Sequence, residues 1–264
     1  MPTPFYHISL AEDLLRHPRL PERTGAFLQA HRPAFLLGNT APDVQTVSGQ
    51  KRAATHFFDL PLRPGQPPAW ERMLAAYPSL EGRLRQAGPA AAFLAGYLCH
   101  LQADWYWIVQ IFAPVFGPHA GWADFRQRLY LHNVLRSYLD EQILPSLSPR
   151  LGEELAGAVA CACLPFVKDE DLLSWRDVLA AQLAPGAAVR TVEVFAARQG
   201  APAEQFYRLL RSEERMEAEI FTRLPRQSLA RYHDRLLVAN LRLLNRCFNR
   251  ERLPAREGGA YACD

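Results

Sequence analysis

Residues 89–117 read PAAAFLAGYLCHLQADWYWIVQIFAPVFG, the most apolar stretch of the chain, with a His–Asp pair in its interior. Apolar residues recur at three- and four-residue spacing here and along most of the sequence, whereas alternating strand patterns are scarce. We therefore predict an all-α fold. The 264 residues are 49% hydrophobic and 22% charged, enough to bury a sizeable core. Without repeats or charged linkers, the sequence predicts one multi-helix domain over 1–264, with a loose tail at 256–264.

Prolines and glycines divide the helical pattern into segments. We predict helices at 7–17, 22–37, 69–77, 89–113, 122–144, 150–164, 168–183, 187–198, 202–223 and 226–249. The segment 38–68 departs from this pattern because it has little helical periodicity. A loop of that length in a compact domain is usually either functional or disordered.

Charge and cysteine content exclude several classes of protein. The net charge of +3 gives no reason to expect nucleic-acid binding, and the oligomeric state is not determined. Five cysteines without a CxxC pair indicate neither a disulfide framework nor a thiolate zinc site, and four of them lie in apolar helical context as core residues: Cys99, Cys161, Cys163 and Cys247. With no signal peptide and no apolar stretch long enough to cross a bilayer, we predict a cytoplasmic protein.

The final predicted helix carries an arginine stripe opposite its leucines. Peripheral contact with anionic phospholipid headgroups is one interpretation of this stripe. The favoured one is the solvated face of an amphipathic helix, paired with acidic residues such as Glu213, Glu214 and Glu217. The stripe consists of Arg231, Arg235, Arg242 and Arg246.

The polar pair of the apolar helix, His100 and Asp104, is four residues apart and so lies on one helix face. The small residues Gly96 and Ala103 leave room beside it, and Trp107 can exclude water. A carboxylate in such surroundings is costly unless it is paired or metal-bound. Taken alone, the pair is either a buried ion pair that stabilises the core or half of a metal site.

Three further residues share this ambiguity. Asp43 follows the turn GNTAP and is either a turn residue or a carboxylate projected from a rigid corner. His56 of THFF is either a partly buried loop histidine or a ligand, and His7 alone is unremarkable. Together with His100 and Asp104 they form a nitrogen-and-oxygen ligand set without thiolates, which suits zinc, with iron or manganese as alternatives.

The order of these pieces resembles the zinc-dependent phospholipase C family. An early His, then GNTAPD, THF and GYLCHLQAD on an apolar helix also resembles the N-terminal domain of glycosylphosphatidylinositol-specific phospholipase D, and single-strand-specific nucleases share the fold. The resemblance covers roughly the first half of the chain, to about Asp140. It implies a helical fold with a zinc cluster that hydrolyses phosphodiesters. It matches Asp43, His56, His100 and Asp104 to the four ligands of one zinc, and His7 to a neighbouring zinc that Asp104 bridges.

Other positions depart from the family pattern. Its remaining zinc uses a further His and then an HxxxE or HxxxD pair on the next helix. Here Ile108 or Gln110 stands at the first position, and His132 is followed four residues later by Arg136. A cation in place of a carboxylate argues against a metal there, although it can contact a phosphate or pair with Asp104. We therefore predict one Zn²⁺ ion rather than a trinuclear cluster.

The predicted function is a metal-dependent hydrolase acting on a small-molecule or phospholipid phosphodiester. Asp43, His132 and Arg136 are the candidate catalytic residues, the last two on the leaving-group side. One alternative is a non-catalytic binding or structural protein in which the metal orders the long loop. Another is an HD phosphohydrolase, prompted by the adjacent His233 and Asp234, although no matching His and Asp set surrounds them.

Overall fold

A computed structural model describes residues 1–63, 65–122 and 124–248. Its α-helices are α1 (Pro4–Arg16), α2 (Glu22–Ala30), α3 (Arg32–Gly38), α4 (Gln45–Ser48), α5 (Arg52–His56), α6 (Ala69–Ala76), α7 (Ser79–Leu84), α8 (Pro89–Trp107), α9 (Phe125–Ile143), α10 (Leu151–Ala156), α11 (Asp169–Gln182), α12 (Thr191–Gln199), α13 (Ala203–Leu210), α14 (Glu213–Met216) and α15 (Arg226–Phe248). Short 3-10 helices span Ala41–Val44 and Leu144–Ser146, and π-helical turns span Ile108–Phe116 and Glu217–Phe221. These ranges contain no strand, which confirms the all-α prediction; the predicted tail lies outside them.

Helix α8 is the central element of the fold. Nearly all of its residues are buried, as expected for a helix that is apolar on every side. It packs against α3, α6, α7 and α15. Side chains of α1 and α8 enter two buried apolar clusters, one shared with α3 and α11 and the other with α9, α12 and α15. The polar groups of these two helices therefore lie where the clusters meet.

Several predicted helices break where a local signal interrupts them. The predicted helix at 22–37 divides at His31, because Pro33 in the first turn of α3 has no N–H for a continuous helix. The predicted helix at 202–223 divides at Ser212, whose hydroxyl caps α14 by accepting from the Arg215 amide at 3.3 Å. Helix α7 was not predicted.

The segment 38–68 is only partly the irregular loop that was predicted. Its first half contains one 3-10 turn and the short helices α4 and α5. Gly49 ends α4 with φ +71°, and Phe57 ends α5 with φ +60°, so both helices end in the left-handed region. These helices have too few residues to show a periodic pattern, which is why the sequence did not indicate them.

The helical context predicted for two of the cysteines is wrong, although Cys163 is buried in the core as predicted. The helix predicted at 150–164 ends at Ala156, and Cys161 and Cys163 form a disulfide in the irregular segment that follows. Ala162 between them has φ +48°, and this local reversal brings the two sulfur atoms together. Cys99 and Cys247 are free and buried, as predicted.

Helix α15 is amphipathic, with its leucines buried and its arginine stripe exposed. Two of the predicted acidic partners, Glu213 and Glu217, pair with Arg226, which lies outside the stripe. Among the described residues, no helix is long and apolar enough to cross a membrane.

Candidate metal centre

The five predicted ligands lie together around the Asp104 carboxylate. Its Oδ1 is 3.3 Å from His7 Nε2, and its Oδ2 is 3.5 Å from His56 Nε2 and 3.9 Å from His100 Nε2. Asp43 Oδ1 is 3.4 Å from His56 Nε2. Ligand atoms around a tetrahedral zinc, each about 2.0–2.1 Å from the metal, are roughly 3.3 Å apart. The donor atoms therefore already have the spacing of a zinc ligand set.

Two glycines allow the helices that carry the site to approach closely. A Cβ on Gly96 of α8 would lie 2.3 Å from the Phe35 carbonyl oxygen, and one on Gly38 would lie 2.0 Å from the Phe93 carbonyl oxygen. Only residues without a side chain fit at these two positions. The space that the sequence assigned to Gly96 beside the polar pair is therefore filled by the α3 backbone.

This close approach orients His100. Its Nδ1 lies 2.7 Å from the Asn39 carbonyl oxygen, directly after α3. The ring therefore donates Nδ1–H to the carbonyl, which leaves the Nε2 lone pair facing Asp104. A histidine held through its second nitrogen in this way is typical of a metal ligand, because the hydrogen bond fixes both tautomer and ring orientation.

His56 is oriented in a similar way at the end of α5. Its Nδ1 is 3.0 Å from the hydroxyl of Thr55, which itself donates to the Arg52 carbonyl at 3.2 Å. The Thr55 oxygen can then accept from His56, so the His56 Nε2 lone pair also points into the cluster. The Tyr97 hydroxyl donates to the Thr55 carbonyl at 2.6 Å and ties this turn to α8.

Asp43 is held by the turn between α3 and α4. Its backbone N–H donates to the Thr40 carbonyl at 3.0 Å, and the Trp175 indole N–H donates to the same oxygen at 2.9 Å. The Thr40 hydroxyl donates to the Leu37 carbonyl at 3.0 Å. The Asp43 side chain keeps 18% of its surface exposed, whereas Asp104 keeps 1%. Asp43 thus forms the accessible edge of the cluster.

The fit to a metal is visible in the buried atoms that lack a hydrogen-bond partner. They include His7 Nε2, His56 Nε2, His100 Nε2 and Asp104 Oδ1. Buried polar atoms without partners are rare because each one costs free energy. Four that converge on one point form a donor set that fits a cation, and their nitrogen and oxygen chemistry suits zinc.

The pKa values of the cluster favour the forms that bind metal. Burial, followed by the nearby His7, lowers the pKa of His100 to about 3, so its imidazole is neutral. Burial alone would raise the pKa of Asp43, but the neighbouring His56 and His100 side chains outweigh it and set the pKa at about 2. For Asp104 the His7 imidazole likewise outweighs burial and holds the pKa well below its usual range. Neutral imidazoles and ionised carboxylates are the protonation states that metal binding requires.

Arg52 belongs to the site and was missed by the sequence analysis. Its guanidinium pairs with Asp104 Oδ2 and lies over the Phe58 ring, 4.7 Å from the centroid. The side chain is 30% exposed, so it joins the buried carboxylate to the surface. The only indication in the sequence was its position four residues before His56, which places the two side chains on the same face of a helical turn. It was missed because the segment was assigned to a loop.

His132 and Arg136 occupy α9, and their environments differ. The Trp107 indole donates to His132 Nε2 at 3.0 Å, and Phe112 and Phe116 both have ring centroids 5.0 Å from that of His132. Burial lowers the pKa of His132 well below its usual value, so the ring is neutral and its free lone pair is occupied. This geometry does not support the catalytic role predicted for His132.

Arg136 faces a cavity that Asp43 also lines. One guanidinium nitrogen donates to the Met1 carbonyl at 3.1 Å, and the other terminal nitrogen donates to Asn133 Oδ1. It does not pair with Asp104 as one interpretation suggested; the arginine paired with that carboxylate is Arg52. The predicted position of Arg136 near a bound phosphate remains consistent with this placement.

The His233–Asp234 pair lies apart from these residues. His233 Nε2 is 3.0 Å from Asp13 Oδ2, and Asp234 is 81% exposed. The Asp13 carboxylate raises the pKa of His233, which is the behaviour of a surface ion pair between α15 and α1. The structure gives no support to an HD phosphohydrolase site.

Comparison with known proteins agrees with this geometry. The family model described as zinc dependent phospholipase C matches residues 6–119. No curated protein and no solved structure matches the chain significantly. The matched segment contains all five predicted ligands and ends before His132 and Arg136, short of the limit near Asp140 that the motifs indicated. Over residues 6–119, this chain is therefore similar to the zinc-dependent phospholipase C family, as its motifs predicted.

Proposed function

We propose that this protein is a phosphodiesterase of phospholipase C type that uses a single zinc ion. The family match supports a metal-dependent phospholipase-type hydrolase. The observation that carries the proposal is the group of buried nitrogen and oxygen atoms without hydrogen-bond partners around Asp104. In a purely structural pair, each Nε2 would carry a proton directed at a carboxylate, whereas His100 and His56 are held through Nδ1, so that Nε2 presents a lone pair to Asp104.

The proposal of one metal follows from the way the ligand groups overlap. The donors form two sets, and within each set all ligand atoms lie within 4.8 Å of one another. The first set is His7, His100 and Asp104, and the second is Asp43, His56 and His100. His100 belongs to both sets but offers only Nε2, since its Nδ1 is bonded to Asn39. If His100 joins Asp43, His56 and Asp104, then His7 keeps only the shared Asp104. One complete site and one incomplete site result.

The residues around the centre have distinct roles in the proposed hydrolysis. Zinc lowers the pKa of a water molecule and stabilises charge on a phosphoryl oxygen. Asp43, ionised and partly exposed, accepts a hydrogen bond from the attacking water. Arg136, on the cavity side, stabilises the phosphate charge that develops during in-line displacement. Arg52 offsets the negative charge of Asp104 when the site holds substrate.

A non-catalytic metal-stabilised protein is the second candidate. Four protein ligands saturate a tetrahedral zinc, and closed sites of that kind are usually structural. The specific observation in its favour is on α9, where His132 accepts a hydrogen bond from Trp107. Among the described residues, no residue of α9 belongs to a group that could hold a metal ion. Such a protein would lose stability without zinc and would hydrolyse nothing.

The test combines zinc content with turnover. We expect elemental analysis to give one zinc per chain, and purified protein to hydrolyse bis(4-nitrophenyl) phosphate. One zinc without turnover would favour the structural alternative. Two or more zinc ions would contradict the mononuclear site, and none would contradict the proposal.

Two variants and a control link the zinc to this cluster. His100→Ala should lose the zinc, and Asp43→Asn, which keeps the side-chain shape, should bind it more weakly. His233→Ala is the matched control because that histidine also pairs with a carboxylate but lies on the surface. Circular dichroism checks that each variant is folded. Zinc retained by folded His100→Ala would show that the cluster belongs to the core alone.

A further inference from the structure

A cavity of about 140 Å³ lies directly beside the candidate metal centre. Asp43 belongs to its lining, so a group bound in the cavity is next to the metal ligands. Apolar side chains supply much of the remaining surface, among them Trp175 and Leu179 of α11 and Phe195 of α12. The cavity is thus placed to hold the part of a substrate that adjoins the reacting phosphate.

Three arginines line this cavity: Arg136, Arg190 and Arg198. In the part of the chain that the structure describes, none of them has a carboxylate oxygen within 4.0 Å. Arg136 donates only to neutral oxygens, and its Nε is buried without a partner. Burial lowers the pKa of Arg136 to about 10, which still leaves it charged at neutral pH.

The nearest acidic group on α9 does not neutralise these arginines. Asp140 lies one turn beyond Arg136, and its two oxygens accept hydrogen bonds from the hydroxyls of Thr3 and Thr191. Burial raises the pKa of Asp140 to about 7, so it carries only part of a negative charge at neutral pH. The carboxylates of Asp43 and Asp104 would be offset by the zinc dication. The cavity therefore has an excess of positive charge over the single negative charge of a phosphodiester.

One aromatic residue of the cavity, Phe195, does not offer an open face to a cationic headgroup. Binding of a quaternary ammonium group requires an open aromatic face. The face of Phe195 is covered by the Arg136 guanidinium, whose Cζ is 4.1 Å from the ring centroid. A cation that approaches Phe195 would meet the Arg136 guanidinium instead of a π-surface.

We propose that this cavity selects phosphodiesters whose headgroup carries a second negative charge, a carboxylate or a further phosphate, and disfavours choline-like headgroups. The inference rests on the proposed hydrolase function. The phosphodiester lies against Asp43 and Arg136, and the second anionic group lies toward Arg190 and Arg198. The apolar lining surrounds the short alkyl part that joins the two charges.

The kinetic test uses two chromogenic substrates that share the 4-nitrophenyl phosphate group and carry headgroups of opposite charge. These are the 4-nitrophenyl phosphodiesters of glycolic acid, which carries a carboxylate, and of choline. We expect a higher kcat/KM for the glycolate ester. Arg190→Ala and Arg198→Ala should each reduce the glycolate-to-choline ratio by roughly two- to fivefold, the range for exposed charge pairs. Arg198→Glu should reduce it further.

Arg126→Ala is the control, because Arg126 is an exposed arginine of α9 that does not line the cavity. Its ratio should equal that of the unmodified protein. All the substituted arginines are exposed except for their contact with the cavity, so the variants are expected to fold. A ratio that stays unchanged in both Arg190→Ala and Arg198→Ala would overturn the inference.

Calorimetric titration separates this inference from the proposed hydrolysis. The ligands are 2-phosphoglycolate, phosphocholine and inorganic phosphate, each titrated into zinc-loaded and into chelator-treated protein. We expect 2-phosphoglycolate to bind most tightly and to lose affinity in the Arg190 and Arg198 variants, even if no substrate is turned over. Inorganic phosphate that binds equally well would show that the cavity recognises one phosphate only, and this would overturn the inference even in an active enzyme.

Discussion

Substitution of Gly96 by alanine tests how the packing of α3 against α8 supports the zinc ligands. The added Cβ would lie 2.3 Å from the Phe35 carbonyl oxygen and 2.8 Å from the Asn39 nitrogen. Ordinary van der Waals contact begins at 3.4 Å. The end of α3 must therefore move away from α8 by about 1 Å, because neither backbone atom can rotate aside as a side chain would.

The expected loss of stability in Gly96→Ala has two parts. Overpacking of this kind costs about 1–3 kcal/mol. A shift of that size also stretches the 2.7 Å bond between His100 Nδ1 and the Asn39 carbonyl beyond hydrogen-bond range, for about 1 kcal/mol more. The sum corresponds to a decrease of roughly 5–15 °C in Tm for a domain of this size. Loss of such an orienting hydrogen bond typically weakens metal binding by about 10–100-fold.

Zinc affinity is measured by competition with a chromogenic chelator, and Tm by differential scanning calorimetry with and without zinc. Gly82→Ala in α7 is the control, since its Cβ meets nothing within 4 Å. That variant should bind zinc normally and be equally or slightly more stable, because alanine favours helix by up to about 1 kcal/mol. If Gly96→Ala keeps the zinc affinity and Tm of the original protein, the close approach of the two helices does not support the site.

Two further predictions concern the surroundings of the centre. Burial raises the pKa of Asp140 to about 7, so the folded protein keeps a proton that the unfolded chain releases near pH 4. The free energy of unfolding should therefore fall as the pH rises from about 4 to about 7. Asp140→Asn should reduce the difference between the urea midpoints at pH 5 and pH 8. An undiminished difference would show that Asp140 is not the source of the pH dependence. Trp107→Phe should cost about 1–2 kcal/mol by leaving His132 Nε2 without a donor, with zinc content unchanged. Loss of zinc in that variant would place His132 in the metal centre.

Local spacing made the all-α fold and several site residues predictable. A helix that is apolar on all sides must be buried, and a four-residue separation must place His100 and Asp104 on one face. The predictions failed where local pattern carries little information. Helices α4 and α5 are too short for a period to show, and the disulfide between Cys161 and Cys163 depends on one residue with positive φ.

The sequence by itself determined a helical protein with a His and Asp ligand set that suits zinc. Only the tertiary structure decided which atoms meet: the Asn39 carbonyl on His100, Arg52 on Asp104, and Trp107 on His132. The physical reason is that helical periodicity fixes the face on which a side chain lies. Its partner on another helix depends on how closely the two backbones approach, and at Gly96 that distance is set by the absence of a single Cβ.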